Sequence, residues 1–168
     1  MTLAYIGLGS NLGHPRRQLG RAVRLLSRLP RTRLLAVSPN YVTAPQDVVS
    51  PQPDYINAVA IVDTALAPRA LLARMQAIER RHRRTRSGSE RNAPRTLDLD
   101  LLLFGRRRVD VRDLSIPHPR MHARAFVLRP LADVAPALEV PGHGPVKRLL
   151  RGVAGQRVVR TRTHRLPG

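Results

Sequence analysis

The sequence predicts an α+β fold in a single domain, with a mainly antiparallel sheet and packed helices. The apolar segments Thr2–Leu8, Arg33–Val37, Tyr55–Asp63 and Thr96–Phe104 have the length and patterning of strands. The stretches after Pro15 and Pro68 repeat apolar residues at helical spacing. The order of these segments lacks the regular strand–helix–strand alternation that builds a parallel, doubly wound sheet.

Each element has a local reason. Thr2–Leu8 is small and apolar, and Gly7 and Gly9 punctuate its end. Gly7-x-Gly9 by itself reads as a tight turn leaving a strand, and residues 9–13 continue as that turn. Pro15 suits the first turn of a helix. Leu19, Ala22, Val23, Leu26 and Leu29 form its apolar face, and Pro30 ends it. Arg33–Val37 is a strand that Tyr41–Thr43 extends beyond Pro39. Pro45, Pro51 and Pro53 make Ala44–Pro53 a loop. Pro68 opens a second helix with Leu71, Leu72, Met75 and Ile78 facing the core. Arg80–Ala93 is a basic, polar loop. Arg106–Val109 is expected to turn back as a hairpin partner of the Thr96–Phe104 strand. Arg124–Val134 reads as partly helical, interrupted at Pro130, and the last ~15 residues read as a loose basic tail.

Composition narrows the function classes. The 168 residues fit one domain with a real core, and 42% hydrophobic content excludes a disordered chain. With no cysteine there is no disulfide framework, thiolate metal site or cysteine nucleophile. No apolar run approaches the ~20 residues of a membrane span, and Met1–Gly9 is too short for a signal peptide; a cytoplasmic protein is expected. The net charge is +19, and all but one of the 30 basic residues are arginines. That charge favours polyanionic partners, but 3% aromatic content makes a thin base-stacking platform.

The segment 94–104, PRTLDLDLLLF, carries the chemistry. Its apolar run predicts a buried strand, yet it holds Asp98 and Asp100, which share one face. Side-by-side carboxylates in a low-dielectric setting repel unless cations compensate them. Mg²⁺ prefers such oxygen ligands and shares them with substrate phosphates, and two ions about 3.5–4 Å apart could sit between such groups. Arg83, Arg84, Arg86, Arg91 and Arg95 lie just upstream, and arginine forks match phosphate geometry. Metal carboxylates beside phosphate-binding arginines suggest phosphoryl-type transfer. The plain alternative is that both aspartates only pair with nearby arginines. There is no Walker loop and no protein-kinase signature set.

Four ordered blocks then point to a family. They are residues 4–12 (AYIGLGSNL), 52–58 (QPDYINA), 94–100 (PRTLDLD), and 116–119 (IPHP) with 124–128 (RAFVL). With them the chain resembles the 6-hydroxymethyl-7,8-dihydropterin pyrophosphokinases of folate biosynthesis over about residues 2–150. The resemblance implies a ferredoxin-like, three-layer αβα domain over residues 1–152, followed by a basic tail, 153–168. It implies transfer of diphosphate from ATP to the pterin hydroxymethyl group, giving AMP and the pterin diphosphate. Asp98 and Asp100 would hold two Mg²⁺ ions and act in catalysis with Arg84 and Arg95. ATP would meet Gln76, Glu79, Arg84, Arg86, Arg95, Leu101, His118 and Arg124. The pterin would meet Gly9, Asn11, Thr43, Tyr55, Asn57 and Phe126. A monomer with no membrane partner and no specific nucleic acid is expected.

Taken alone, Gln76 and Glu79 read as a solvated helix face, His118 as a loop histidine and Phe126 as core. Tyr55 and Asn57 do share a strand face, where an aromatic ring can stack on a flat pterin and an amide can read its edge. The chain departs from the family at Asn92, where a tryptophan is frequent, and at Pro119, where a tyrosine often follows the histidine. Two rivals remain at this level. A nucleic-acid-binding protein rests on the charge, and a two-metal nuclease would use the same aspartates.

Overall fold

The computed structural model describes residues 1–44, 51–84 and 97–161, apart from the side chains of Arg83 and Arg84. In chain order the elements are β1 (Thr2–Ser10), α1 (Pro15–Ser27), β2 (Thr32–Val37), β3 (Tyr41–Thr43), β4 (Tyr55–Thr64) and α2 (Pro68–Arg84). There follow β5 (Asp98–Phe104), β6 (Val109–Val111), β7 (Leu114–Ile116), a 3-10 turn (Met121–Ala123) and α3 (Ala125–Val134). The chain continues through β8 (Glu139–Val140), β9 (Gly144–Pro145), α4 (Val146–Gly152) and β10 (Val159–Arg160).

The central sheet runs β10-β3-β4-β1-β5, and β2 pairs with the half of β4 that β3 leaves open. Every pairing in it is antiparallel. Strand alternation divides the core into two. Ala4, Ile6 and Leu8 of β1 pack with Leu19, Ala22 and Leu26 of α1 and with Leu71, Met75 and Ile78 of α2. Tyr5 of β1 and Val59 and Ile61 of β4 pack with Val127, Leu128 and Leu131 of α3 and with Val146 of α4. The result is the expected three-layer α+β domain, with α1 and α2 on one face and α3 and α4 on the other.

Three local expectations change. The Arg106–Val109 segment does not pair with β5. Gly105 adopts φ +55°, a conformation that favours glycine, and its N–H donates to the Leu3 carbonyl at 2.7 Å. The chain thus turns off the sheet, β1 occupies the place beside β5, and Val109–Val111 pairs with Leu114–Ile116 instead. Pro130 does not break α3; it removes one intrahelical bond, to the Phe126 carbonyl. Through Thr161 the C-terminal stretch is docked rather than loose. Val159 and Arg160 pair with Val42 and Tyr41, and the Thr161 N–H donates to the Asn40 carbonyl.

Candidate active site

Gly7 and Gly9 lie within β1, not beyond its end. Gly7 stands between Val59 and Asp100, and Gly9 between Asn57 and Asp98. All of these face the α3 side of the sheet, and the missing side chains of two consecutive inward positions leave a hollow there. A Cβ at Gly9 would stand 2.9 Å from Asn57 Oδ1, closer than side-chain atoms pack. The hollow is a cavity of about 360 Å³ whose floor is β1. Thr43, Tyr55 and Asn57 line one wall, Asp98 and Asp100 the other, and Arg120, Arg124 and Phe126 the rim.

The wall formed by Thr43, Tyr55 and Asn57 is ordered. Asn57 and Thr43 are buried, and Asn57 Nδ2 donates to Thr43 Oγ1 at 2.8 Å. That bond fixes the amide so that Oδ1 faces Gly9 and the cavity floor. Asn11 is not a lining residue. Its Nδ2 donates to Gln52 Oε1 and to the Pro53 carbonyl, at 3.2 and 3.4 Å, which tethers the end of β1 to the segment entering β4. Asn11 Oδ1 is buried with no donor among the described residues, an acceptor whose burial is costly unless it is satisfied.

On the opposite wall, Asp98 is half-buried and Asp100 exposed, while Leu99 and Leu101 point into the core beneath α1 and α2. The outer edge of β5 is covered at two points. Leu99 N–H donates to Glu79 Oε2 at 3.4 Å, and the His118 N–H donates to the Leu102 carbonyl at 2.8 Å. His118 follows a cis Ile116–Pro117 peptide. Its Nδ1 accepts from the Arg120 N–H at 3.2 Å, so a neutral ring carries its proton on Nε2. Burial holds this imidazole below its ordinary value of 6.5; Asp100 pulls it up, while Arg124 and Arg120 push it further down. The Arg124 guanidinium sits 5.4 Å from the centre of the Phe126 ring, a cation–π contact that holds both at the rim.

The structure therefore brings Gly9, Thr43, Tyr55, Asn57, Asp98, Asp100, Arg124 and Phe126 together around one cavity, with His118 close enough to Asp100 for their charges to interact. Gln76 is exposed on α2 one helical turn before Glu79. Leu101 faces the core, so a contact from it to a nucleotide would come from its main chain. Arg84 ends α2, but its side chain, with Arg86 and Arg95, lies outside the described residues. Arg120 lines the cavity and was missed; its position directly after the Ile116–Pro119 block was the available signal. Gln52, which holds Asn11, lies inside the second block and also went unremarked.

The donor set suits Mg²⁺. Asp98 and Asp100 present hard oxygen ligands on one face, open enough for water and phosphate to complete the shells. Among the described residues no cluster of three or more acidic or histidine ligands forms, so Asp98 and Asp100 would supply only part of a coordination sphere.

A model of the 7,8-dihydro-6-hydroxymethylpterin-pyrophosphokinase (HPPK) family matches residues 5–136. This chain belongs to that family. Among its relatives, a Pseudomonas aeruginosa 2-amino-4-hydroxy-6-hydroxymethyldihydropteridine pyrophosphokinase is 47% identical over 98% of this chain and 96% of its own length. An enzyme of the same name from Haemophilus influenzae is 40% identical over 95% and 98%. One from Bacillus subtilis is 41% identical over 82% and 80%. The HPPK fold is shared with the wild-type Plasmodium falciparum HPPK-DHPS structure with pteroate, at a TM-score of 0.73 and 13% identity. That match covers 92% of this chain, which spans 42% of the Plasmodium chain.

Proposed function

We infer that the chain transfers diphosphate from ATP to the hydroxymethyl group of 6-hydroxymethyl-7,8-dihydropterin, releasing AMP, as its family membership indicates. One observation carries the assignment of the site: the Asn57–Thr43 pair and the Asp98–Asp100 pair line opposite walls of a single cavity. A flat heterocycle seated between Tyr55 and Phe126, read by Asn57, would put its alcohol towards the aspartates. The alcohol oxygen attacks the β-phosphorus, the bond from that phosphorus to the α-bridging oxygen breaks, and AMP leaves with the electron pair. The hydroxyl proton passes to solvent or to Asp100.

Two Mg²⁺ ions held by Asp98 and Asp100 would neutralise triphosphate charge. Arg124 and Arg120, together with Arg84, Arg86 and Arg95, serve the phosphates as guanidinium donors. The neutral His118 can donate from Nε2, and Gln76, Glu79 and the Leu101 main chain lie along the helix and strand edge proposed for the nucleotide. Asn11 shapes the pterin end through Gln52. We take the enzyme to work as a cytoplasmic monomer without specific nucleic acid. The described residues contain no helix long and apolar enough to cross a membrane.

The test is AMP release from ATP and Mg²⁺ with and without the pterin alcohol. Pterin-dependent AMP with a diphosphorylated pterin is expected. Asp98→Ala should keep its fold and lower kcat by about 10²–10³, the usual cost of removing one electrostatic stabiliser. Unchanged turnover in that variant would remove Asp98 from the metal site. Mg²⁺-dependent cleavage of DNA or RNA without pterin turnover would instead favour the nuclease.

A further inference from the structure

On the other face of the sheet, α1 and α2 enclose a second cavity, of about 300 Å³, lined by Arg21, Arg24, Leu25, Arg28, Arg81 and His82. Arg21 and Arg24 share one face of α1, and Arg28, at its C-cap, extends that row to a span of about 10 Å; Arg81 reaches in from α2. All four arginines are exposed, and none makes an ion pair or side-chain hydrogen bond with the described residues. Like charges at this spacing repel. A glutamate one turn away would relieve them, yet α1 contains no acidic residue. His82 is buried and Leu25 half-buried, so the floor joins an imidazole to one apolar side chain while the rim is cationic.

We propose that this cavity is a second phosphate site, separate from the catalytic one, which takes an oligophosphate such as inorganic triphosphate or the triphosphate of a nucleotide. Guanidinium forks bind phosphoryl oxygens in pairs, and a linear triphosphate concentrates several negative charges within the span of Arg21, Arg24 and Arg28. A nucleic-acid strand spreads its charges more widely, and most of its phosphates would lie beyond this cavity. Arg81 lies two residues along α2 from Glu79, whose carboxylate meets β5, so the two point to different sides of the helix. The inference stands on the cavity and its charges and does not depend on the assignment of the catalytic residues.

The experiment is calorimetric titration with inorganic triphosphate at about 0.15 M salt, where diffuse surface charge is largely screened. The catalytic site is first filled with one equivalent of a non-hydrolysable ATP analogue and Mg²⁺, so that no excess nucleotide is left to occupy the second site. One remaining triphosphate site is expected, and the histidine NMR signal of His82 should move as it fills. Arg24→Gln/Arg28→Gln should weaken that site by about tenfold or more. The charge-matched Arg16→Gln/Arg17→Gln, on the same helix but outside the cavity, should leave it within about twofold, and both variants should keep the parental KM for ATP. Excess ATP competing for the site would identify nucleotide as the source, and failure to compete would identify the free oligophosphate. Equal weakening in both variants, or no triphosphate binding beside the ATP analogue, would overturn the proposal. So would a single-stranded oligonucleotide that displaces triphosphate with the steeper salt dependence of an extended polyanion.

Discussion

Asn57 is useful to the enzyme because one end of its amide is already engaged. With Nδ2 committed to Thr43 Oγ1, the carbonyl end faces the cavity without a search over rotamers. Gly9 keeps the space beside that carbonyl open. Gly9→Ala should therefore force Asn57 to shift, because the new Cβ would approach Oδ1 to 2.9 Å. A well-packed site answers such insertion with about 1–3 kcal/mol. The expected outcome is a weaker pterin Kd by fluorescence titration, with ATP affinity little changed. His118 makes a different prediction. Its folded value lies below 6.5, so the unfolded chain takes up a proton first as the pH falls. Stability is then full above 6.5, declines as the pH drops towards the folded value, and levels below it. His143, lowered by burial and by neighbouring His122 and Arg108, acts with the same sign. His118→Gln should flatten, without abolishing, the loss of urea stability between about pH 7 and 5.

Strands and helices whose pattern is local were readable from the sequence. Leu19, Ala22 and Leu26 are buried as their spacing requires, and Asp98 and Asp100 share a face as strand geometry demands. Choice of strand partner was not local. Arg106–Val109 follows β5 closely enough to suggest a hairpin, but Gly105 diverts the chain, and the outer edge of β5 is met by Glu79 and the His118 N–H instead. The stretch after α4 is short and mixes three valines with glycine and arginines, a pattern too brief to announce where it docks. It is held by the pairing of β10 with β3, by Val153 and Val158 against the α3 side of the core, and by polar contacts. Gln156 donates from Nε2 to the Ala123 carbonyl and accepts from the Ala125 N–H at Oε1, both at 2.9 Å. These bonds bracket Arg124. Gln156→Ala should cost about 1–2 kcal/mol of urea stability and raise KM for ATP more than KM for the pterin. Loss of stability with both KM values unchanged would make the contact purely structural.

Across the whole molecule, the sheet separates two unlike arginine sets. One, with Arg120 and Arg124, shares a cavity with two carboxylates; the other, along α1 and α2, has no carboxylate lining its cavity among the described residues. A net charge of +19 surrounds both. Association with a polyanionic substrate should therefore be steered over distance and damped by salt. Raising KCl from about 0.05 to 0.5 M should lower kcat/KM for ATP severalfold, while kcat/KM for the uncharged pterin, measured at saturating ATP, changes far less. Equal sensitivity of the two would indicate a salt effect on the fold. The hollow proposed as the active site has an evolutionary consequence. Its depth comes from side chains that are not there, at Gly7 and Gly9, and no substitution can remove more from a glycine. Mutation at the floor can only narrow what the enzyme accepts. A descendant that takes a bulkier pteridine must make room at the margin, where Tyr55, Phe126 and Arg120 still have atoms to lose.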